Sequence, residues 1–312
     1  MITVRQYNKE TDFSLWNEFV SKAKNSLFMH DRNFMDYHSD RFIDNSLIFF
    51  NEDEVIALLP ANKKDNELFS HGGLTYGGFI TDSKMKQYKM LECFELLKSY
   101  MNENNFSSLT YKTIPYCYFT NPSQEDLYAL FKNNAYILKI EPSSCIDFRF
   151  PIKLPKGRKA QISRAKREGV LVNLSTDFST FINLENSVLQ EHHNTKAVHT
   201  AKELELLYSR FPDKIELYSA NYKDEMIAGV LLFIYNNVVH TQYMAANHTA
   251  REIGALDYCV SEIMNKYSQT KQFLDFGISS EDNGKFFNEG LASQKEGFGA
   301  RTIAYQTWKL EV

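Results

Sequence analysis

The stretch Val238–Phe276, VVHTQYMAANHTAREIGALDYCVSEIMNKYSQTKQFLDF, has the pattern of a strand, a loop, a helix and a second strand. Its first part, as far as Ala246, is β-branched or alternating, which predicts a strand. A polar loop is predicted at Asn247–Arg251. From about Gly254 apolar residues recur at spacings of three and four, which predicts a helix with one apolar face. Gln272–Phe276 is predicted to be the next short strand.

The start of this helix has the features of an anion-binding site. The first N–H groups of a helix have no partner within it, and the helix dipole is positive there. Arg251 adds charge, and Gly254 leaves room for a phosphate oxygen beside the backbone. We expect this loop to hold the pyrophosphate of an acyl-CoA, and the preceding strand to line the acyl group. The expected donor-binding residues are Tyr243, Met244, Ala245, Arg251, Gly254 and Ala255.

Length and composition indicate a globular protein with room for two domains. The chain has 312 residues, of which 43% are hydrophobic and 24% are charged. A net charge of −4 argues against DNA binding driven by the charge of the whole chain. The longest apolar run, Ile227–Tyr235, is too short to span a bilayer, and no signal peptide is expected at the N-terminus.

The four cysteines, Cys93, Cys117, Cys145 and Cys259, are scattered without paired spacing. That usage favours a reducing cytoplasm over a disulfide framework or a zinc site. We therefore expect a cytoplasmic protein with no metal and no membrane span.

The order of predicted elements repeats along the chain, which suggests an internal duplication of structure. Prolines cluster between Glu141 and Pro155, where a domain crossing is expected. The expected domains are residues 1–145 and 146–312, each a mixed, mostly antiparallel twisted sheet flanked by helices, in an α+β fold. The first copy has no Arg-x-x-Gly at its equivalent loop, near Thr81–Lys84, so the donor site is expected in the second.

A basic run occupies Lys156–Arg167 and is followed by Gly169, a helix C-cap position. Such a run is usually a solvated helix face. It is also suited to gripping the diphosphate of a sugar nucleotide or the acceptor stem of a tRNA. The expected substrate-binding residues here are Arg158, Lys159 and Arg164.

Other candidate residues are polar groups near the expected site. Alternation along the strand would place His240 and Gln242 on one face, beside the acyl group. Asp275, at a strand end, and Glu281, in the loop that follows, are placed to orient an amine or take its proton. Each has an ordinary structural interpretation as a satisfied polar group or a cap. Two further substrate-binding candidates, with the same structural alternative, are His192 and His193.

The second half resembles the GNAT acyltransferase superfamily. The sequence from Arg251 to Leu256, REIGAL, is similar to that superfamily's Gln/Arg-x-x-Gly-x-Gly/Ala signature, with Leu256 in place of the final small residue. Glu296-Gly297-Phe298 is similar to its closing helix and Gly-Phe turn.

The whole chain resembles the FemABX-like proteins, which carry two GNAT-type domains in tandem. The supporting segments are HGGLTYGGFI at 71–80, GRKAQISRAKREGV at 157–170, FLDFGIS at 273–279 and LASQKEGFGA at 291–300. The last is similar to that family's Leu-x-x-Phe-Lys-x-x-Phe-Gly, with Gln294 replacing Phe and Lys295 at the Lys position. The resemblance implies that Lys295 acts on a nucleotide-sugar diphosphate or on the charge that develops in the reaction.

We therefore expect acyl transfer from acyl-CoA, such as acetyl-CoA, to an amine on a nucleotide-linked sugar or a cell-surface polysaccharide precursor. The acyl-CoA is a co-substrate, with no tightly bound cofactor, and attack is direct in a ternary complex. A carboxylate, a His or water takes the amine's proton, and backbone N–H groups near Tyr243–Ala245 stabilise the oxyanion. The candidate catalytic residues are Lys295, Asp275, Glu281 and His240.

Two alternatives stay open. Aminoacyl-tRNA-dependent addition of an amino acid to a peptidoglycan precursor is favoured by the basic run and the family resemblance. A non-catalytic module that binds sugar nucleotides is favoured by the bulk of Leu256.

Overall fold

The structure is a computed structural model that describes residues 1–150 and 152–312, with the side chains of residues 192 and 193 outside that description. It contains two compact units. The N-terminal unit comprises Met1–Pro142, Asp282–Lys285 and Ala304–Val312, and the C-terminal unit comprises Ser143–Glu281 and Phe286–Ile303. The expected division at 145/146 lies close to the first crossing between units. It did not include the return of the last residues to the N-terminal unit.

The N-terminal unit combines short strands with four helices. Its strands are β1 (Ile2–Gln6), β2 (Ile43–Asp44), β3 (Leu47–Asn51), β4 (Glu54–Leu59), β5 (Asn62–Lys64), β6 (Glu67–Phe69), β7 (Ile80–Thr81) and β8 (Ser108–Lys112). Its helices are α1 (Lys9–Lys22), α2 (Arg32–Met35), α3 (Gln87–Glu103) and α4 (Glu125–Lys132). The strands β1, β3, β4 and β7 pair antiparallel in that order. The end of β17 (Arg301–Glu311) pairs antiparallel with β8, and β8 pairs parallel with β6, which explains why the last residues belong to this unit.

The C-terminal unit receives the end of β9 (Tyr136–Asp147) and then alternates helices with long strands. Its further helices are α5 (Lys156–Glu168), α6 (Phe178–His193), α7 (Ala201–Arg210), α8 (His248–Ile253), α9 (Ala255–Tyr267) and α10 (Glu289–Glu296). Its further strands are β10 (Leu171–Ser175), β11 (Ile215–Tyr222), β12 (Glu225–Ile234), β13 (Val238–Ala246), β14 (Phe273–Ile278), β15 (Ser280–Glu281) and β16 (Phe286–Phe287). The strands from β10 to β13 pair antiparallel in chain order, β13 pairs parallel with β14, and β14 pairs antiparallel with β9. The predicted α+β class, with mixed and mostly antiparallel sheets, is confirmed.

The apolar face predicted for α9 forms part of the C-terminal core. Its members Val260 and Ile263 are almost fully buried, within a cluster that includes Val230 and Leu232 of β12. Burying an aliphatic side chain of this size contributes about 1.5–3 kcal/mol. This packing fixes α9 against the sheet.

One local prediction was wrong. The loop predicted at Asn247–Arg251 is instead α8, because Asn247 caps it by accepting a hydrogen bond from the Ala250 N–H. The last helix begins at Glu289, after Phe286–Phe287, which pairs with β15. The first helix begins at Lys9, with Asn8 as its N-cap. Within the described part of the chain, no helix combines the length and apolarity needed to cross a bilayer.

Candidate active site

The site begins where two parallel strands separate. The strands β13 and β14 pair only from Val238↔Phe273 to His240↔Asp275, whereas β13 continues, paired with β12, as far as Ala246. Beyond His240, β13 is no longer paired with β14. The separation leaves backbone groups of β13 directed toward the space between the strands.

A β-bulge turns β13 within this region. Leu231 pairs with Tyr243 and Leu232 pairs with Thr241, so Gln242 is the extra residue. A bulge breaks the alternation of side chains. As a result the consecutive residues Thr241 to Met244 all line one cavity. Gln242 is on its wall, whereas His240 is not among the lining residues, so the two do not share a face as alternation predicted.

The cavity has a volume of about 780 Å³, within the range of small-molecule sites. Its lining comes from α6, β13, α8, α9, β14 and α10. The residues are Glu185, Val188, Leu189, Thr241, Gln242, Tyr243, Met244, Ala246, Arg251, Leu256, Asp257, Phe276, Asn288, Leu291, Gln294 and Lys295. Of the expected donor-binding residues, Tyr243, Met244 and Arg251 are on this wall, whereas Ala245 and Ala255 are fully buried behind it.

The first turn of α9 is covered by α5. Gly254 has a φ of 78°, and a Cβ placed on it would lie 2.6 Å from the Gln161 carbonyl oxygen of α5. The close approach that requires glycine here is therefore to protein backbone. Asp257, in the same turn, accepts a hydrogen bond from Arg158, which also donates to the Gln294 carbonyl at 2.8 Å.

Arg158 thus ties α5 to α9 and α10, and its guanidinium lies 4.0 Å from the centre of the Phe298 ring. The other expected substrate-binding residues of α5, Lys159 and Arg164, are exposed and are not part of the cavity wall. His192 and His193, also expected there, have side chains outside the described residues.

Lys295 is a buried ammonium on the cavity wall. Its side chain is 3% exposed, and Nζ donates to the carbonyls of Gly277 at 3.0 Å and Ile278 at 2.6 Å. Burial lowers the pKa of Lys295 to about 8, and the charge of Asp275 acts in the opposite direction. An ammonium has three N–H groups, and the two carbonyls use two of them. The third is available for a ligand.

Asp275 lies behind the wall and is fully buried. Its Oδ1 accepts from Ser143 Oγ at 2.7 Å and from the Gly277 N–H at 3.0 Å, and its Oδ2 lies 3.2 Å from His240 Nδ1. Neither Asp275 nor His240 lines the cavity. Glu281 is exposed and accepts from Asn288 Nδ2 at 2.8 Å, and it does not line the cavity either. The geometry therefore gives Asp275 a supporting position rather than one beside a substrate.

Sequence reasoning missed Glu185, the buried carboxylate of α6. Glu185 is 6% exposed, lines the cavity, and its Oε2 has no hydrogen-bond partner within the described part of the chain. Burial raises its pKa to about 7. A signal was present in the sequence, because Glu185 follows the buried Phe181 and Ile182 at helical spacing, on the face where an apolar residue is expected.

The comparisons with known proteins agree with this architecture. Residues 157–285 match the family model described as an acetyltransferase (GNAT) domain. The search of curated proteins finds no match for the sequence.

Several solved structures share the fold over the full length. FemX has a TM-score of 0.69 at 10% identity, with 99% of this chain and 97% of FemX covered. L-PGS from Bacillus licheniformis has a TM-score of 0.62 at 12% identity, covering 98% of this chain and 92% of that one. A tandem GNAT protein from the clavulanic acid biosynthesis pathway has a TM-score of 0.55 at 10% identity, covering 100% and 98%. The chain is thus an acyltransferase with a GNAT domain at residues 157–285, built in the tandem-GNAT fold of the FemABX-like proteins.

Proposed function

We propose that the protein transfers an acyl group from acyl-CoA to an amine on a nucleotide-linked sugar or a cell-surface polysaccharide precursor. The observation that carries the proposal is the cavity formed where β13 leaves β14. A cleft of this size brings a thioester and an amine together without a covalent enzyme intermediate. The acceptor class rests on the resemblance to FemABX-like proteins, and the cytoplasmic setting rests on the scattered cysteines.

The donor would lie along β13. Arg251, at the end of α8, supplies a positive charge on the cavity wall beside the first turn of α9. The backbone of Tyr243–Ala245 lies beyond the last pair with β14, so N–H groups there are suited to a tetrahedral oxyanion. Met244 and Phe276 supply apolar surface for a short acyl chain.

Lys295 would act as a fixed positive charge in the same cavity. Its carbonyl partners hold Nζ in place, so that little reorganisation is needed when negative charge develops on the reacting group. The same ammonium is suited to the diphosphate of a nucleotide-linked acceptor.

Calorimetric titration with acetyl-CoA tests the donor. We expect the wild-type protein to bind it and Arg251→Glu to bind at least tenfold more weakly. The control is Lys202→Glu, which reverses an exposed charge on α7 away from the cavity and should bind as the wild type does. Absence of binding by the wild type, or equal binding by Arg251→Glu, would refute the donor site.

A second candidate is aminoacyl-tRNA-dependent addition of an amino acid to a peptidoglycan precursor. The observation that favours it is the packing of α5 over Gly254, where the pyrophosphate of CoA was expected. Helix α5 also exposes the basic residues Lys156, Lys159, Arg164 and Arg167. Such a face fits a phosphate backbone, and binding would weaken steeply with salt.

Filter binding with charged tRNA distinguishes the two candidates. Salt-dependent tRNA binding that is lost in the double variant Lys159→Glu/Arg164→Glu, without any acetyl-CoA binding, would favour the second candidate. Acetyl-CoA binding without tRNA binding would favour the first.

A further inference from the structure

The cavity contains a buried carboxylate oxygen without a partner. Glu185 is 6% exposed and projects from α6, between the buried Phe181 and the cavity-lining Leu189. Its Oε2 has no hydrogen-bond partner among the described residues. Buried carboxylates are normally paired, because an unpaired one loses its hydration without compensation. A buried carboxylate oxygen without a partner on a cavity wall therefore indicates a ligand that supplies the donor.

Two residues of β13 on the wall of the same cavity also have a buried oxygen without a partner among the described residues. Thr241 Oγ1 and Gln242 Oε1 are also buried without a partner in the part of the chain that the structure describes, and both residues line this cavity. Both side chains line the cavity because the bulge of β13 interrupts the alternation of side chains along the strand. A carboxylate, an amide oxygen and a hydroxyl oxygen can all accept hydrogen bonds. Their complement is a group with several N–H donors and a positive charge.

Two carboxylates line the cavity in the part of the chain that the structure describes, and Glu185 is the one with a partnerless buried oxygen. The remaining carboxylate there, Asp257 of α9, is bonded to Arg158. The cations of the lining are Arg251 on α8 and Lys295 on α10. Tyr243 of β13 packs against α6, and its hydroxyl is hydrogen bonded to His199 Nδ1 at 2.7 Å. The cavity thus offers positive charge for a donor phosphate and a separate acceptor group for an ammonium.

We propose that Glu185 binds the acceptor as a primary ammonium ion, with Thr241 and Gln242, and is the base that deprotonates it. This proposal rests on the acyl transfer proposed above. One N–H bond of the ammonium breaks and the proton moves to the Glu185 carboxylate, leaving a neutral amine with its lone pair. The amine then forms a C–N bond to the thioester carbonyl. When the tetrahedral intermediate collapses, the C–S bond breaks, and the thiolate that leaves takes the second nitrogen proton.

The titration of Glu185 agrees with this role. Burial raises its pKa to about 7, so near neutral pH both its forms are populated. A base with a pKa near the working pH is the most effective in proton transfer. The acceptor class that follows is a primary amine, because a hydroxyl acceptor brings neither the charge nor the three donors.

Carboxyl ¹³C NMR of the full-length protein tests the amine site directly. The Glu185 resonance is assigned by its loss in Glu185→Gln, and its pKa is measured with and without n-butylammonium. We expect saturating n-butylammonium to lower the pKa of Glu185 by at least one unit, because a bound cation favours the carboxylate. The matched neutral probe, n-butanol, should leave it unchanged. No shift with n-butylammonium, or an equal shift with n-butanol, would overturn the proposal.

This measurement needs no acyl donor, so its failure is separate from failure of the proposed function. A shift with n-butylammonium in a protein that does not bind acetyl-CoA would support the amine site and reject the CoA donor. In turnover with acetyl-CoA and n-butylamine, Glu185→Gln should lose 10²- to 10⁴-fold in kcat/KM. The control Glu205→Gln, an exposed carboxylate of α7, should keep full activity. Equal rates for the two variants would contradict the assignment of Glu185 as the base.

Discussion

Asp275 and Lys295 are joined through one residue, Gly277, whose N–H donates to Asp275 Oδ1 at 3.0 Å and whose carbonyl accepts from Lys295 Nζ at 3.0 Å. Both side chains are almost fully buried, and only Lys295 reaches the cavity. The carboxylate therefore holds the turn that holds the ammonium. By this geometry Asp275 is a positioning residue.

Replacing Asp275 with Asn should impair Lys295 without touching the donor. The charge of Asp275 raises the pKa of Lys295, so its removal should lower that pKa further below its usual range. We expect kcat to fall and the Kd for acetyl-CoA to stay unchanged, with a loss of about 1–3 kcal/mol in the free energy of unfolding from the disturbed hydrogen bonds. The exposed Asp213→Asn is the control. A weakened Kd with unchanged kcat would place Asp275 at the donor instead.

The pH dependence of kcat/KM should be bell-shaped. The rising limb should lie near the pKa of Glu185, about 7, because the base must be ionised. The falling limb should lie near the pKa of Lys295, about 8, because the ammonium is lost above it. With a single amine acceptor whose own titration is known, Glu185→Gln should abolish the rising limb. A profile of unchanged shape in Glu185→Gln would show that another group titrates there.

Glu185→Gln should also stabilise the protein at neutral and higher pH. Glu185 has its pKa raised from 4.5 to about 7 by burial, so the folded state keeps a proton that the unfolded state loses between these values. Stability from this group is therefore complete below pH 4.5 and falls as the pH rises through 7. Gln lacks this titration, so its advantage in the free energy of unfolding should grow over that interval to something on the order of 3 kcal/mol.

Chemical denaturation at pH 4.5 and pH 8 measures this difference, with Glu205→Gln as the control. If Glu185 is buried for function, Glu185→Gln should be more stable and less active than the wild type. A loss of stability at pH 8 would instead indicate a structural role for Glu185.

The sequence predicted the fold better than the site, for identifiable reasons. The apolar spacing of α9 is a local signal, and the structure contains the helix that it predicts. The bulge at Gln242 and the separation of β13 from β14 depend on pairing with distant strands, which periodicity does not report. Glu185 looked like an ordinary polar helix residue until the sheet beside it was known.

The role of Gly254 also depends on a distant part of the chain, α5. Substituting it distinguishes a glycine required by the packing of α5 from one required by a phosphate of the donor. A left-handed φ of 78° and the contact with the Gln161 backbone both oppose a side chain. Gly254→Ala should therefore cost about 2–4 kcal/mol in the free energy of unfolding, by strain and by displacement of α5.

The matched control for Gly254→Ala is Gly290→Ala. Gly290 lies in the first turn of α10, and a Cβ there would meet only Asn288 Oδ1, at 3.6 Å. Because alanine is the better helix former, Gly290→Ala should leave stability unchanged or raise it by up to about 1 kcal/mol. If Gly254→Ala were as stable as the wild type but failed to bind acetyl-CoA, the glycine would be serving a phosphate, and α5 would have to move aside when the donor binds.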